Sequence, residues 1–99
     1  MALTSSGPAI VALIIEALSD GGLSGGLPKI LSEELVTEMI LGTTSLIKEN
    51  KLNTSELKNL VTSPGGTTIS ALRVLEKKSI RSALIESIIA ASNRSKEFS

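Results

Sequence analysis

The stretch "SPGGTTISAL" (residues 63–72) sets a Pro-Gly-Gly turn and two threonines directly against an apolar helical pattern. Val, Ile and Thr are common around it, and composition alone would allow a strand. The spacing does not: Ile69, Leu72 and Leu75 share one face of a helix, and spacing outranks propensity. A helix is expected over residues 67–76. The first N–H groups of such a helix have no internal acceptor, and the helix dipole adds partial positive charge there. Gly65 and Gly66 permit backbone angles that other residues avoid, and Pro64 fixes one φ. Ser63, Thr67 and Thr68 add hydroxyls. The turn therefore reads either as a cradle for a carboxylate or phosphate, or as an ordinary cap after a tight turn. It is not a P-loop, because no lysine follows the glycines at the required spacing.

Outward from this turn the same helical period recurs. Before it, "NTSEL" opens a short helix; Asn53 and Glu56 have capping-box spacing, and Leu57, Leu60 and Val61 form its apolar face. After it, Ser79 is expected to cap a last helix with Ile80, Leu84, Ile88 and Ala91 in register. Toward the N-terminus, Pro28 starts a helix whose stripe includes Leu31, Leu35, Met39, Val36, Ile40 and Ile47, ending in "IKENK". The first helix is expected to follow "TSSGPA", with Ser5 or Ser6 as cap and Pro8 in the first turn. "SDGG" is expected to end it, with Gly21 or Gly22 in the left-handed position.

Ile10, Val11, Leu13, Ile14, Ile15 and Leu18 leave that first helix apolar almost all round, which marks burial on several sides. Two arrangements satisfy this. One is a compact five-helix monomer; the other, favoured because short chains often need a second subunit to complete a core, is an intertwined dimer.

Composition excludes much else. Ten basic and ten acidic residues cancel, and Phe98 is the one aromatic, so neither charge nor stacking argues for nucleic acid. With no cysteine and no histidine there is no disulfide framework, zinc knuckle, thiolate nucleophile or Ser-His-Asp triad. No metal site is expected, and a reducing cytoplasm is the default compartment. The longest apolar run, residues 8–15, is far short of the roughly 20 needed to cross a bilayer, so no membrane partner is expected. Glu33, Glu34 and Glu38 read as a solvated face. Glu16 and Asp20, four apart on one face, are either a paired or cofactor-facing set or simple helix-end charges.

Two stretches carry a recognisable pattern. "LKNLVTSPGGTTISALRVLEKKSIRSALIESIIAASNRSKE" closely resembles the C-terminal signature of the pyrroline-5-carboxylate reductase family, and "TSSGPAIVALIIEALSDGGLSGGLP" resembles its helix opening and "DGG…GLP" turn. Together they cover essentially the whole chain, and "VTSPGGTT" is highly specific. The resemblance implies an all-α fold of about five helices, an intertwined dimer of the 6-phosphogluconate-dehydrogenase C-terminal-like type, with residues 1–99 as the dimerisation domain. It implies hydride transfer from NADPH or NADH to the C=N carbon of 1-pyrroline-5-carboxylate, giving L-proline, the last step of proline biosynthesis. The substrate carboxylate would rest on Ser63, Gly65, Gly66, Thr67 and Thr68. Thr68, near the ring nitrogen, is the catalytic candidate, and Val61 would lie toward the nicotinamide. Cofactor from one subunit and loop from the other would share the site, so the expected partners are a second copy, in a homodimer or larger oligomer, and the small substrate.

Two positions depart from the family's usual residues: Ser5 replaces a Gly and Ile10 an aromatic. The family's N-terminal Rossmann domain has no counterpart in these 99 residues, so an excised or truncated domain, inactive alone, is expected. The alternatives are a helical homo-oligomerisation module with no retained ligand site, or the helical half of another two-domain dehydrogenase. The latter class commonly uses a helix-borne lysine for acid–base work, and no lysine here has a suitable context.

Overall fold

In a computed structural model, residues 1–62 and 66–98 are described, and among them every regular element is a helix. In chain order these are α1 (Ala2–Ser24), α2 (Lys29–Asn50), α3 (Thr54–Val61), α4 (Thr67–Lys77) and α5 (Ile80–Phe98). The all-α, five-helix expectation holds. The chain divides into two compact units, Pro8–Leu52 and Met1–Gly7 with Asn53–Ser99.

The first unit holds most of α1 and all of α2. Here the sequence reading of α1 needs correcting at both ends. The helix starts at Ala2, so Pro8 lies inside it rather than in its first turn, and Ser5 donates its hydroxyl to the Met1 carbonyl at 2.8 Å. At the other end Gly21 and Gly22 remain helical. The left-handed residue is Gly26, φ 105°, inside a Schellman turn: Leu27 N–H donates to Gly22 O at 3.1 Å and Gly26 N–H to Leu23 O at 3.0 Å. The resulting 23-residue helix is about 35 Å long, so by length and composition it could cross a membrane.

Gly22 serves close approach instead of capping. A Cβ there would collide with Ser32 Oγ, which donates to the Ser19 carbonyl at 2.7 Å. Ser32 is 1% exposed and Ser19 5%, the two buried residues among those described. Ser19 Oγ lies buried without a hydrogen-bond partner among the described residues. Along α2, Thr37, Thr43 and Thr44 return their hydroxyls to carbonyls four residues back, which lets polar β-branched residues sit in a helix interior. Lys51, φ 52°, ends α2.

In the second unit α3 opens with the expected capping box. Glu56 N–H donates to Asn53 Oδ1 at 2.8 Å and Asn53 N–H to Glu56 Oε1 at 3.3 Å. Between α4 and α5, Ser79 takes the left-handed region, φ 61°, and its carbonyl accepts from Ala83 N–H at 3.0 Å. Ser79 thus starts α5 through its backbone. Arg81 Nε donates to the Glu76 carboxylate at 2.8 Å, across the same joint.

No hydrophobic side chain is buried among the described residues. Ile30 is 73% exposed and Leu60 72%. The chain exposes 7823 Å², against about 5,400 Å² for a globular monomer of this mass. Even two separate compact bodies of half the mass would expose only about 6,500 Å² together. A five-helix monomer with a crowded core does not fit these areas. The apolar stripes that the sequence assigns to a core are at most half-buried within one chain.

Candidate functional site

The candidate site is built where α3 stops and α4 starts. Thr62 closes α3: its N–H and its hydroxyl both donate to the Lys58 carbonyl, at 2.9 and 2.7 Å. Double satisfaction of one terminal carbonyl turns the chain out of the helix at Thr62, whose own backbone is extended (φ −74°, ψ 108°). Ser63 and Gly65 of the expected site, with Pro64, lie outside the described residues.

Gly66 then starts α4 in the left-handed region, φ 82°, ψ 1°, and its carbonyl accepts from Ser70 N–H at 3.0 Å. Among the described residues no side chain caps this terminus. The amides of Thr67, Thr68 and Ile69 therefore have no acceptor within the helix, at its positive dipole end. The space around Gly66 is open: the nearest atom to a Cβ built there is Ile69 Cγ2 at 3.9 Å. The glycine is needed for its dihedral and not for room.

The structure brings Val61 and Thr68, seven residues apart, to the two sides of this turn. Thr68 is half-buried and its hydroxyl donates to the Val61 carbonyl at 3.4 Å. Thr67 is exposed beside it, and the Val61 side chain is exposed at the end of α3. Val61, Gly66, Thr67 and Thr68 thus form one cluster, while Glu33, Glu34 and Glu38 lie on α2 in the other unit. The sequence reading missed Thr62. Its signal was available, since a threonine four residues after Lys58 at a helix end can return its hydroxyl to that carbonyl.

Chemically the cluster offers neutral donors only: free amides of one helical turn and two threonine hydroxyls. Such a set is chemically able to receive an anionic group without a counter-charge, as helix N-termini are. None of these residues titrates near neutrality, so this part of the site can position a reactant but holds no carboxylate, imidazole or amine for acid–base work.

Comparison with known proteins bears on the fold and the family. The family model described as pyrroline-5-carboxylate reductase dimerisation matches residues 1–98. A pyrroline-5-carboxylate reductase of Synechocystis is 52% identical over 95 residues, covering 96% of this chain and 36% of the relative. A pyrroline-5-carboxylate reductase structure from Coxiella burnetii superposes with a TM-score of 0.94 at 42% identity, covering 99% of this chain and 36% of that one. The Plasmodium falciparum pyrroline carboxylate reductase, solved with NADP bound, gives 0.92 at 38% identity over 97% of this chain and 37% of that one. The chain spans just over a third of the length of these relatives. Its five-helix architecture, its superposition on solved relatives and its match over residues 1–98 agree: the chain belongs to the pyrroline-5-carboxylate reductase dimerisation family.

Proposed function

We propose that this chain is the dimerisation and substrate-loop part of a reductase that converts 1-pyrroline-5-carboxylate to L-proline with NADPH or NADH. The observation that carries the reading is the uncapped start of α4, where Gly66 is left-handed and three amides lack acceptors within the helix. These amides and the hydroxyl of Thr67 receive the substrate carboxylate. Ser63 and Gly65 complete that cradle in this reading. Thr68 orients the ring by a hydrogen bond at its nitrogen, exchanging its present bond to the Val61 carbonyl.

Val61 fits the cofactor's edge. Its side chain is apolar, exposed and beside Thr68, which suits the face of a nicotinamide ring. When bound, that ring supplies the hydride. The rest of the cofactor falls to a Rossmann domain that these 99 residues do not contain, and the chain alone is inactive. A second copy covers the apolar faces of α1 and α2, and the surplus of exposed area is of the size that obligate dimers bury. A cytoplasmic setting belongs to the same reading and suits a chain without cysteine.

The experiment is an NMR titration of the chain with proline or a cyclic carboxylate analogue. Shifts confined to the turn around Gly66 and Thr68 are expected. No response at millimolar ligand would leave a helical oligomerisation module without a ligand site. In an enzyme carrying this domain, Thr68→Val is expected to lower kcat/KM about ten-fold or more with the helical content unchanged. Unaltered kinetics removes Thr68 from the mechanism.

A further inference from the structure

The end of α3 hangs on one carbonyl held twice. Thr62 donates to the Lys58 carbonyl through its N–H at 2.9 Å and its hydroxyl at 2.7 Å. Thr37, Thr43 and Thr44 make the same four-residue return inside α2, where helical turns on both sides already hold the backbone. Thr62 differs: it stands past the last residue of α3, and its own backbone is extended. Helix ends fray, and α3 has only 8 residues, so a second tether on its last rung matters more there than in mid-helix. Val61 lies inside that rung, and its carbonyl accepts from the Thr68 hydroxyl at 3.4 Å. A bond of that length is near the outer limit, so moving Val61 away by about 0.3 Å breaks it.

We propose that Thr62 is a positioning residue for Thr68. The Thr62 hydroxyl holds the end of α3, and the Val61 carbonyl fixed there parks the Thr68 hydroxyl in one rotamer before a reactant arrives. The inference rests on the role given to Thr68 in the proposed function and adds the residue that prepares it. Thr62 acts through Val61 and does not touch the reactant. The amides that receive the carboxylate belong to α4, so loss of the Thr62 hydroxyl leaves them in place. What is lost is the orientation of Thr68, which bears on the reacting ring more than on its capture.

The test compares variants in an enzyme carrying this domain. Thr62→Val keeps the side-chain shape and removes the hydroxyl. It is expected to lower kcat about three- to ten-fold, with KM for 1-pyrroline-5-carboxylate within about two-fold of the parent. Thr62→Ser restores the hydroxyl and is expected to recover kcat to within about two-fold. In a Thr68→Val background, Thr62→Val should change kcat by less than about two-fold, because the group it positions is gone. In the 99-residue chain, NMR couplings should show Thr68 in one side-chain rotamer, averaged in Thr62→Val and fixed again in Thr62→Ser. Raised KM with kcat unchanged, a Thr62→Ser enzyme as slow as Thr62→Val, or full additivity with Thr68→Val each overturns the proposal. If Thr62→Val reduces helicity, Thr62→Ser against Thr62→Ala, one hydroxyl apart, takes over with the same expectations. Unaltered kinetics in Thr68→Val defeats the proposed site itself. A slow Thr68→Val enzyme beside an unaltered Thr62→Val one defeats only this positioning role.

Discussion

Gly22 and Gly66 do opposite things with the same missing side chain. Gly22 sits in helical geometry, where any residue fits the backbone, but a Cβ would strike Ser32 Oγ. Gly66 has open space around it, but its φ of 82° is one that L side chains resist. The first glycine lets two helices approach until a serine hydroxyl reaches a main-chain carbonyl. The second starts a helix that no described side chain caps. One region is closed by contact; the other, among the described residues, pairs open space with a left-handed dihedral.

This contrast sets an order of expected effects. Gly22→Ala should be the most damaging, about 1–3 kcal/mol of stability by overpacking, despite alanine's better helix propensity. Thermal or urea unfolding followed by circular dichroism measures it. Adding Ser32→Ala should recover much of the loss; a double variant as unstable as Gly22→Ala alone means that Ser32 is not what Gly22 makes room for.

Gly66→Val should cost about 1–2 kcal/mol, because the strain is in the backbone and no neighbour must move. The sharper readout is local: amide exchange at Thr67 and Thr68 should speed up while α1 and α2 keep their protection. Uniform loss of protection across α1 and α2 would falsify the view of this turn as separable from the α1–α2 joint.

Ser32→Ala alone should cost about 1 kcal/mol, the worth of one hydrogen bond whose acceptor is left buried. Ser19→Ala should stay within about 0.5 kcal/mol or stabilise slightly, since the hydroxyl it removes is buried without a partner among the described residues. If Ser19→Ala proves as costly as Ser32→Ala, the Ser19 hydroxyl has a partner in the assembled protein.

Much of this was legible in the residues. The capping box at Asn53 and Glu56, the starts of α2 and α4 and the left-handed need at Gly66 all follow from local rules, because each is decided within a few residues of chain. What misled was equally local. "SDGG" reads as a helix end, yet α1 continues through Gly21 and Gly22, since the cost of glycine in a helix is offset by the approach of Ser32. At the turn, helix-end physics left a cradle or an ordinary cap open, the resemblance pointed to Gly66, Thr67 and Thr68 as binding residues, and the structure adds the contact of Thr68 to Val61 across it. That contact spans a Pro-Gly-Gly turn, whose path spacing alone does not define.

The sequence by itself determined the number and kind of the helices, the special backbone position at Gly66 and the surplus of apolar surface, because periodicity, turn chemistry and composition are properties of short windows. The tertiary structure alone decided the Gly22–Ser32 joint and the fact that no apolar side chain among the described residues is fully buried within one chain. Both depend on which helix faces meet, and residues distant in sequence settle that by volume and hydrogen bonding rather than by their own preferences.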